Sequence, residues 1–378
     1  MSGVRQSIVF CREKDGFDTG KAEGDKWVAP PPGTFFSSTH NRSVTKVYTE
    51  GSKFLDTYAY GQVQGSWEWT FNMDYDYLEP FLLAFEGAGD GERISDGAFE
   101  FTKSNSKRVP SFCVRGRILN RITEGTWENG LKDETYILTG CVVKTIRFSK
   151  SAGASQVQVS MSGLYANEHM VLGDLEATDY TEYNGHLVEF QCMFADDEYV
   201  ANTESLSVGV ENSASAIYTT CTPIASNFAE SQTSITFTTM CYANDPTRYR
   251  TRMYSGGRSK TADYPNHKNL GPISSVKLKS YNTESVTYKD DGSCTVDMAG
   301  AMAKATRTAE FRLTDVVIKG LTRQKGDGSK LQDQINSTDV RKLVLAIKTP
   351  AYNKEESGDD ATVKSRDDIW SKGPHVIG

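Results

Sequence analysis

Along most of this chain apolar and polar residues alternate with a period of two. Trp67, Trp69, Phe71 and Met73 alternate with Ser66, Glu68, Thr70 and Asn72. Such a stretch predicts a strand with one buried and one wet face. The same alternation runs through 156–162, with 149–154 as the hairpin turn before it. Further strands are expected over 43–49, 111–115, 116–123, 134–139, 142–148, 204–212, 275–279, 285–288, 309–319 and 342–348. In two places the rhythm changes to that of a helix. Leu78, Phe81, Leu82 and Phe85 fall at i, i+3, i+4 and i+7, one apolar stripe. Asp74 or Asp76 is placed to cap that helix, Pro80 sits in its first turn and Gly87 can end it. The second helix is expected after Asn244 or Asp245, with Pro246 just inside and a thinner stripe of Tyr249 and Met253.

These two helices belong to a segment that occurs twice. Residues 61–87 and 229–255 share one plan: alternating strand, cap and short helix. Ile235 and Phe237 stand where Trp67 and Trp69 stand, and Pro246 stands near the place of Pro80. A unit repeated at about domain length in 378 residues predicts two copies of one domain. The boundaries read as 1–175, 176–350 and a charged C-terminal extension, 351–378. Residues 15–33, ending in three prolines, and 87–108 are expected as long loops, and 165–184 as an acidic linker. Trp67, Trp69, Phe81, Phe85, Phe237, Tyr249 and Met253 are the candidate core and helix-packing residues.

Composition adds exclusions. The formal net charge is −7, which disfavours holding nucleic acid by neutralising phosphates. It does not exclude a surface that nucleic acid slides past. No apolar run is long enough to span a membrane, and residues 1–14 lack the apolar core of a signal peptide. The seven Cys are widely spaced with no C-x-x-C, so buried thiols are expected. None of the five His lies in a metal-binding pattern, and no nucleophile elbow, P-loop or kinase signature occurs. No catalytic residue, metal or cofactor is expected. Asp74, Asp76 and Glu79 crowd together, which admits a two-carboxylate glycosidase, but helix capping explains them better. The wet faces are mostly uncharged, with Glu68 and Glu230 as acidic additions. Candidate lining residues are Glu68, Thr70, Gln156, Gln158, Ser160, Thr236 and Thr238.

The strand–helix unit 65–87, the hairpin 136–162 and the segments 203–212, 235–237 and 311–318 resemble the tail tube (major tail) proteins of long, non-contractile tailed bacteriophages. The resemblance covers about residues 40–350. It implies a mainly β fold: two tandem β-sandwich-like tube domains, each with one short helix and long loops. Each would contribute strands to a ring-shaped inner β-barrel. Single-domain relatives form six-membered rings, so a duplicated chain implies a trimeric, pseudo-sixfold ring. The implied function is a structural virion protein of the tail, made and assembled in the host cytoplasm. Genomic DNA would pass a polar, net acidic lumen without specific binding. The implied partners are further copies of the chain and the tail terminator, distal tail and tape-measure proteins, with no membrane. The loops at 15–33 and 87–108 would bridge subunits or rings. The alternative is a tandem β-sandwich adhesin or carbohydrate-binding module, with Trp67, Trp69 or Trp127 as a sugar platform.

Overall fold

The computed structural model describes residues 5–14, 16–21, 26–31, 34–48, 57–85, 92–95, 98–103, 109–119, 134–151, 154, 156–172, 186–188, 192–195, 198–200, 203–242, 273–281, 305–325, 331–350 and 376–377. In chain order the first half contains β1 (Arg5–Arg12), β2 (Trp27–Val28), β3 (Phe35–Val47), β4 (Thr57–Asn72), α1 (Glu79–Phe85), β5 (Glu92–Ser95), β6 (Ala98–Thr102), β7 (Phe112–Leu119), β8 (Glu134–Ser151), β9 (Gln158–Tyr165) and β10 (Asn167–Leu172). The second half contains β11 (Cys192–Ala195), β12 (Glu198–Val200), β13 (Thr203–Glu211), β14 (Ala214–Tyr218), β15 (Ala225–Glu230), β16 (Ser234–Tyr242), β17 (Ile273–Tyr281), β18 (Thr308–Lys325), β19 (Leu331–Lys348) and β20 (Val376–Ile377). The protein is mainly β, and α1 is the only α-helix among the described residues.

One antiparallel sheet runs through both halves. Its order is β3–β4–β9–β8–β13–β16–β19–β18–β17–β11–β12. Two blocks within it share one arrangement. In β3–β4–β9–β8 and in β13–β16–β19–β18, the first two strands are followed by the last and then the third. In each block the third strand is long, and its first part carries an extra partner: β7 on β8, β17 on β18. In each the third and fourth strands pair with a register shift. The segments aligned in the sequence, around Trp67 and Ile235, are β4 and β16, the second strand of each block.

β8 joins two layers. Its first part, up to Cys141, pairs with β7 and β10, and its second part pairs with β9 and β13. The change of partners falls at Gly140, whose φ is +62°. A side chain there would be strained, and its Cβ would lie 2.8 Å from that of Ala166. Beyond β7 lie β1, β2 and β20, while β5 and β6 extend from the C-terminal part of β19. No sheet closes into a barrel among the described residues.

Cross-strand register explains the core. One ladder of residues directly opposite each other reads Phe36–Trp69–Met161–Ile146–Val210–Ile235, and the next reads Phe71–Val159–Phe148–Val208–Phe237. All of these side chains are buried in one cluster. α1 lies against β8 and β6 on this face. Phe148 gathers Phe81 (5.8 Å between ring centres), Phe85 (6.1 Å) and Phe311 (4.7 Å), so rings from both halves meet on one side chain. Fully burying a ring of this size contributes about 1.5–3 kcal/mol.

Several expectations change. α1 is buried on every side, not along one stripe, because β6 and β8 enclose it. Asp74 does not cap it: its Oδ1 accepts from the Asp76 N–H at 2.7 Å, an Asx turn one step upstream. Residues 87–108 contain β5 and β6, with Phe99 and Phe101 in the core. The linker contains β10, paired on β8. The strands expected over 134–139 and 142–148 are one continuous strand, as are those over 111–115 and 116–123 up to Leu119. The second helix, Tyr249 and Met253, the strand over 285–288 and nearly all of 351–378 lie outside the described residues.

Candidate polar face

Three ladders opposite the core make up the wet face of the central sheet. They read Ser37–Glu68–Ser162–Thr145–Glu211–Ser234, Phe35–Thr70–Ser160–Arg147–Gly209–Thr236, and Asn72–Gln158–Ser149–Ser207–Thr238. The strand period of two forces this separation: every second residue joins the core ladders, and the rest must face the other side. Glu68, Thr70, Ser160 and Thr236 line one hollow on this face, and Gln156, Gln158 and Thr238 line another. The structure therefore brings all seven candidate lining residues onto one surface. Glu230 is not among them: it lies on β15, where its Oε1 accepts from the Val109 N–H at 2.9 Å.

Sequence reading missed Thr145, Arg147, Ser149, Lys150, Ser207 and Glu211, which line the same hollows. The available signal was the alternation of 145–149 against Ile146 and Phe148. Thr145 and Ser162 share a hydroxyl–hydroxyl hydrogen bond across β8 and β9. Gly209 leaves room for its neighbours: a Cβ there would stand 2.9 Å from Thr236 Oγ1 and 3.9 Å from Arg147 Nε. The charged residues lining the two hollows are Glu68, Glu211, Arg147 and Lys150. In the wet ladders themselves stand Glu68, Glu211 and Arg147, while Lys150 pairs with Leu206 on the parity of Ile146 and Phe148; the ladders are thus polar, with Arg147 on β8 between the two acids.

Among the core candidates, Trp67, Trp69, Phe81, Phe85 and Phe237 are all buried. Trp67 Nε1 donates to the Leu164 carbonyl at 3.1 Å. Neither Trp67 nor Trp69 can present a ring to a sugar, and Trp127 lies outside the described residues.

The acidic cluster at the start of α1 has another task. Asp74 and Glu79 are fully buried, so no glycan can reach them as an acid pair. Asp76 receives Arg307 through Nε on Oδ1 (3.2 Å) and a terminal nitrogen on Oδ2 (3.4 Å). His186 Nδ1 lies 2.9 Å from Oδ2, and the Thr349 hydroxyl donates to Oδ1. Burial acts to raise the Asp76 pKa, but the hydrogen bonds from Thr349, Arg307 and His186 and the Arg307 charge outweigh it and hold it below the usual value. One carboxylate thus ties the β4–α1 connection to the residues flanking β18 and β19. The same cluster raises the pKa of Tyr77, chiefly through burial and then through Glu79, Asp74 and Asp76. Elsewhere, Glu13 accepts from the N–H groups of Gly20, Gly140 and Asp18, which orders the turn after β1.

Among the described residues no group of His, Cys, Asp and Glu is arranged to hold a metal ion. No described helix is long and apolar enough to cross a membrane. No protein-family model matches the chain, and no curated protein matches it.

Proposed function

We propose that this chain is a self-assembling structural subunit of a phage tail tube. The observation that carries the reading is the repeat of one four-strand order, twice, within a single sheet whose wet face carries mostly polar ladders from β3 to β16. Each block supplies one sixth of a ring wall, and three copies supply six. The units 1–175 and 176–350 are then two copies of one tube domain, and the ring closes the open sheet into a barrel. Closure removes the exposed strand edges that a single copy retains.

In this reading the three polar ladders face the lumen. Hydroxyl and amide groups with interleaved acids and bases give the DNA backbone no continuous cationic track to bind. Genomic DNA passes without being held. The remaining contacts are with proteins at the tube ends and along its interior, and the assembled protein belongs to the virion tail.

Electron microscopy of the purified protein over a range of concentrations tests the proposal. Stacked rings with threefold or pseudo-sixfold symmetry and an open channel are expected. Isolated monomers at every concentration, confirmed by sedimentation, would overturn it. Glycan binding would then be tested in its place.

A further inference from the structure

The chain contains one joint between its two blocks, and this joint shows how copies connect. The second part of β8 pairs with β13, placing Ser149 opposite Ser207 and Phe148 opposite Val208. Across that joint both the polar and the apolar ladders continue without a break. Two counterparts of these strands are open among the described residues. β3, the counterpart of β13, pairs on one side only, with β4. In β18, the counterpart of β8, the part up to Val316 pairs with β17, and the part from Val317 onward pairs on that side with no described strand.

The sequence alignment of Trp67 and Trp69 with Ile235 and Phe237, carried through the pairings of each block, gives the correspondence. Thr70 and Thr238 are equivalent on the second strands, so their partners Phe35 and Ser207 are equivalent on the first. Phe71 and Thr239 are likewise equivalent, and through their partners Val159 and Ile335, Phe148 corresponds to Leu321. Ser149 then corresponds to Thr322.

Resting on the tube reading, we propose that the β18 segment from Val317 to Thr322 pairs antiparallel with the β3 segment from Phe35 to His40 of a second copy of this chain. Thr322 stands opposite Phe35, and Leu321 stands opposite Phe36. This register carries the polar ladder of Thr70 and Phe35, and the apolar ladder of Trp69 and Phe36, across the boundary between copies. It also explains two exposed apolar side chains. Phe35 is 66% exposed and Val317 is 44% exposed in the single chain, both at the edges to be joined. In this register Lys319 stands opposite Ser38, and the segment 35–39 carries no charge, so it meets no like charge there. A shift by one residue would put the apolar ladder of one copy against the polar ladder of the next, which is why the register is specific.

Cysteine pairing reads this out. In a Cys221→Ser background, which removes an exposed thiol, Phe35→Cys and Thr322→Cys are combined in one chain. Under mild copper–phenanthroline oxidation, each thiol pair gives its two electrons and two protons to the oxidant and forms a disulfide. The expected result is a non-reducing ladder of two and three linked copies that saturates at three. Phe35→Cys combined with Arg323→Cys, one residue out of register, gives none. Rings in the microscope without that ladder, or with equal ladders from both pairs, overturn the joint and leave the tube reading standing. Absence of any assembly by the unmodified chain overturns both.

Discussion

Removing the Asp76 carboxylate is the sharpest test of how the two halves are held together. Asp76→Asn keeps the shape and removes the charge that faces Arg307 at 3.2 Å, with His186 and Thr349 on the same group. The Arg307 side chain is only 15% exposed, so water cannot easily replace the lost partner. Breaking a buried pair from one side costs about 3–5 kcal/mol, because the remaining charge is stranded. Partial exposure places this site toward the lower end, about 3 kcal/mol. Urea unfolding followed by tryptophan fluorescence measures the loss. Asp76→Asn combined with Arg307→Met removes both charges and is expected to recover a good part of it. The pH dependence has a definite sign. The folded pKa of Asp76 lies below its ordinary value near 3.8, so its contribution is complete above that value. It disappears as pH falls through the depressed folded pKa. The wild-type and Asp76→Asn curves therefore converge in acid below about pH 4. A loss under about 1 kcal/mol at pH 7, or an equal difference at pH 3 and pH 7, would refute this account of the clasp.

Two further outcomes follow from packing. Phe148→Ala, which empties the space where Phe81, Phe85 and Phe311 meet, is expected to cost about 3–5 kcal/mol by denaturant unfolding, whereas Phe148→Leu costs clearly less. At Gly163 an added Cβ would stand 1.9 Å from the Val142 carbonyl oxygen and 2.5 Å from the Trp67 ring. Gly163→Ala is therefore expected to lower the melting temperature sharply, by at least about 1–3 kcal/mol of stability, while Ser160→Ala on the polar face changes it by less than about 0.5 kcal/mol.

The separation of wet and buried faces was determined by the sequence alone. Once Trp67, Trp69 and Phe71 alternate with Glu68, Thr70 and Asn72, a strand must put them on opposite sides, whatever lies beside it. For that reason Glu68, Thr70, Ser160 and Thr236 could be named before any pairing was known. The likeness of the segments around Trp67 and Ile235 was also legible, and both became the second strand of a four-strand block. Pairing was another matter. That β8 changes partners at Gly140 and pairs with β13 depends on contacts between residues more than fifty positions apart, which no local pattern encodes. Tertiary context alone made strands of 92–95, 98–102 and 167–172, since their short alternations are weak until a partner edge supplies the hydrogen bonds. The same holds for α1, where an apolar stripe announced the helix but only the enclosing β6 and β8 buried its remaining sides. The carboxylates at its start looked like a helix cap, because Asp and Glu before an apolar run usually serve as one. Instead, Asp76 became the anchor for Arg307 and Thr349, residues far along the chain that folding brings to it. Local alternation therefore chose the face of each strand, and long-range pairing chose its neighbours, because side-chain direction is set within a strand and hydrogen bonding only between strands.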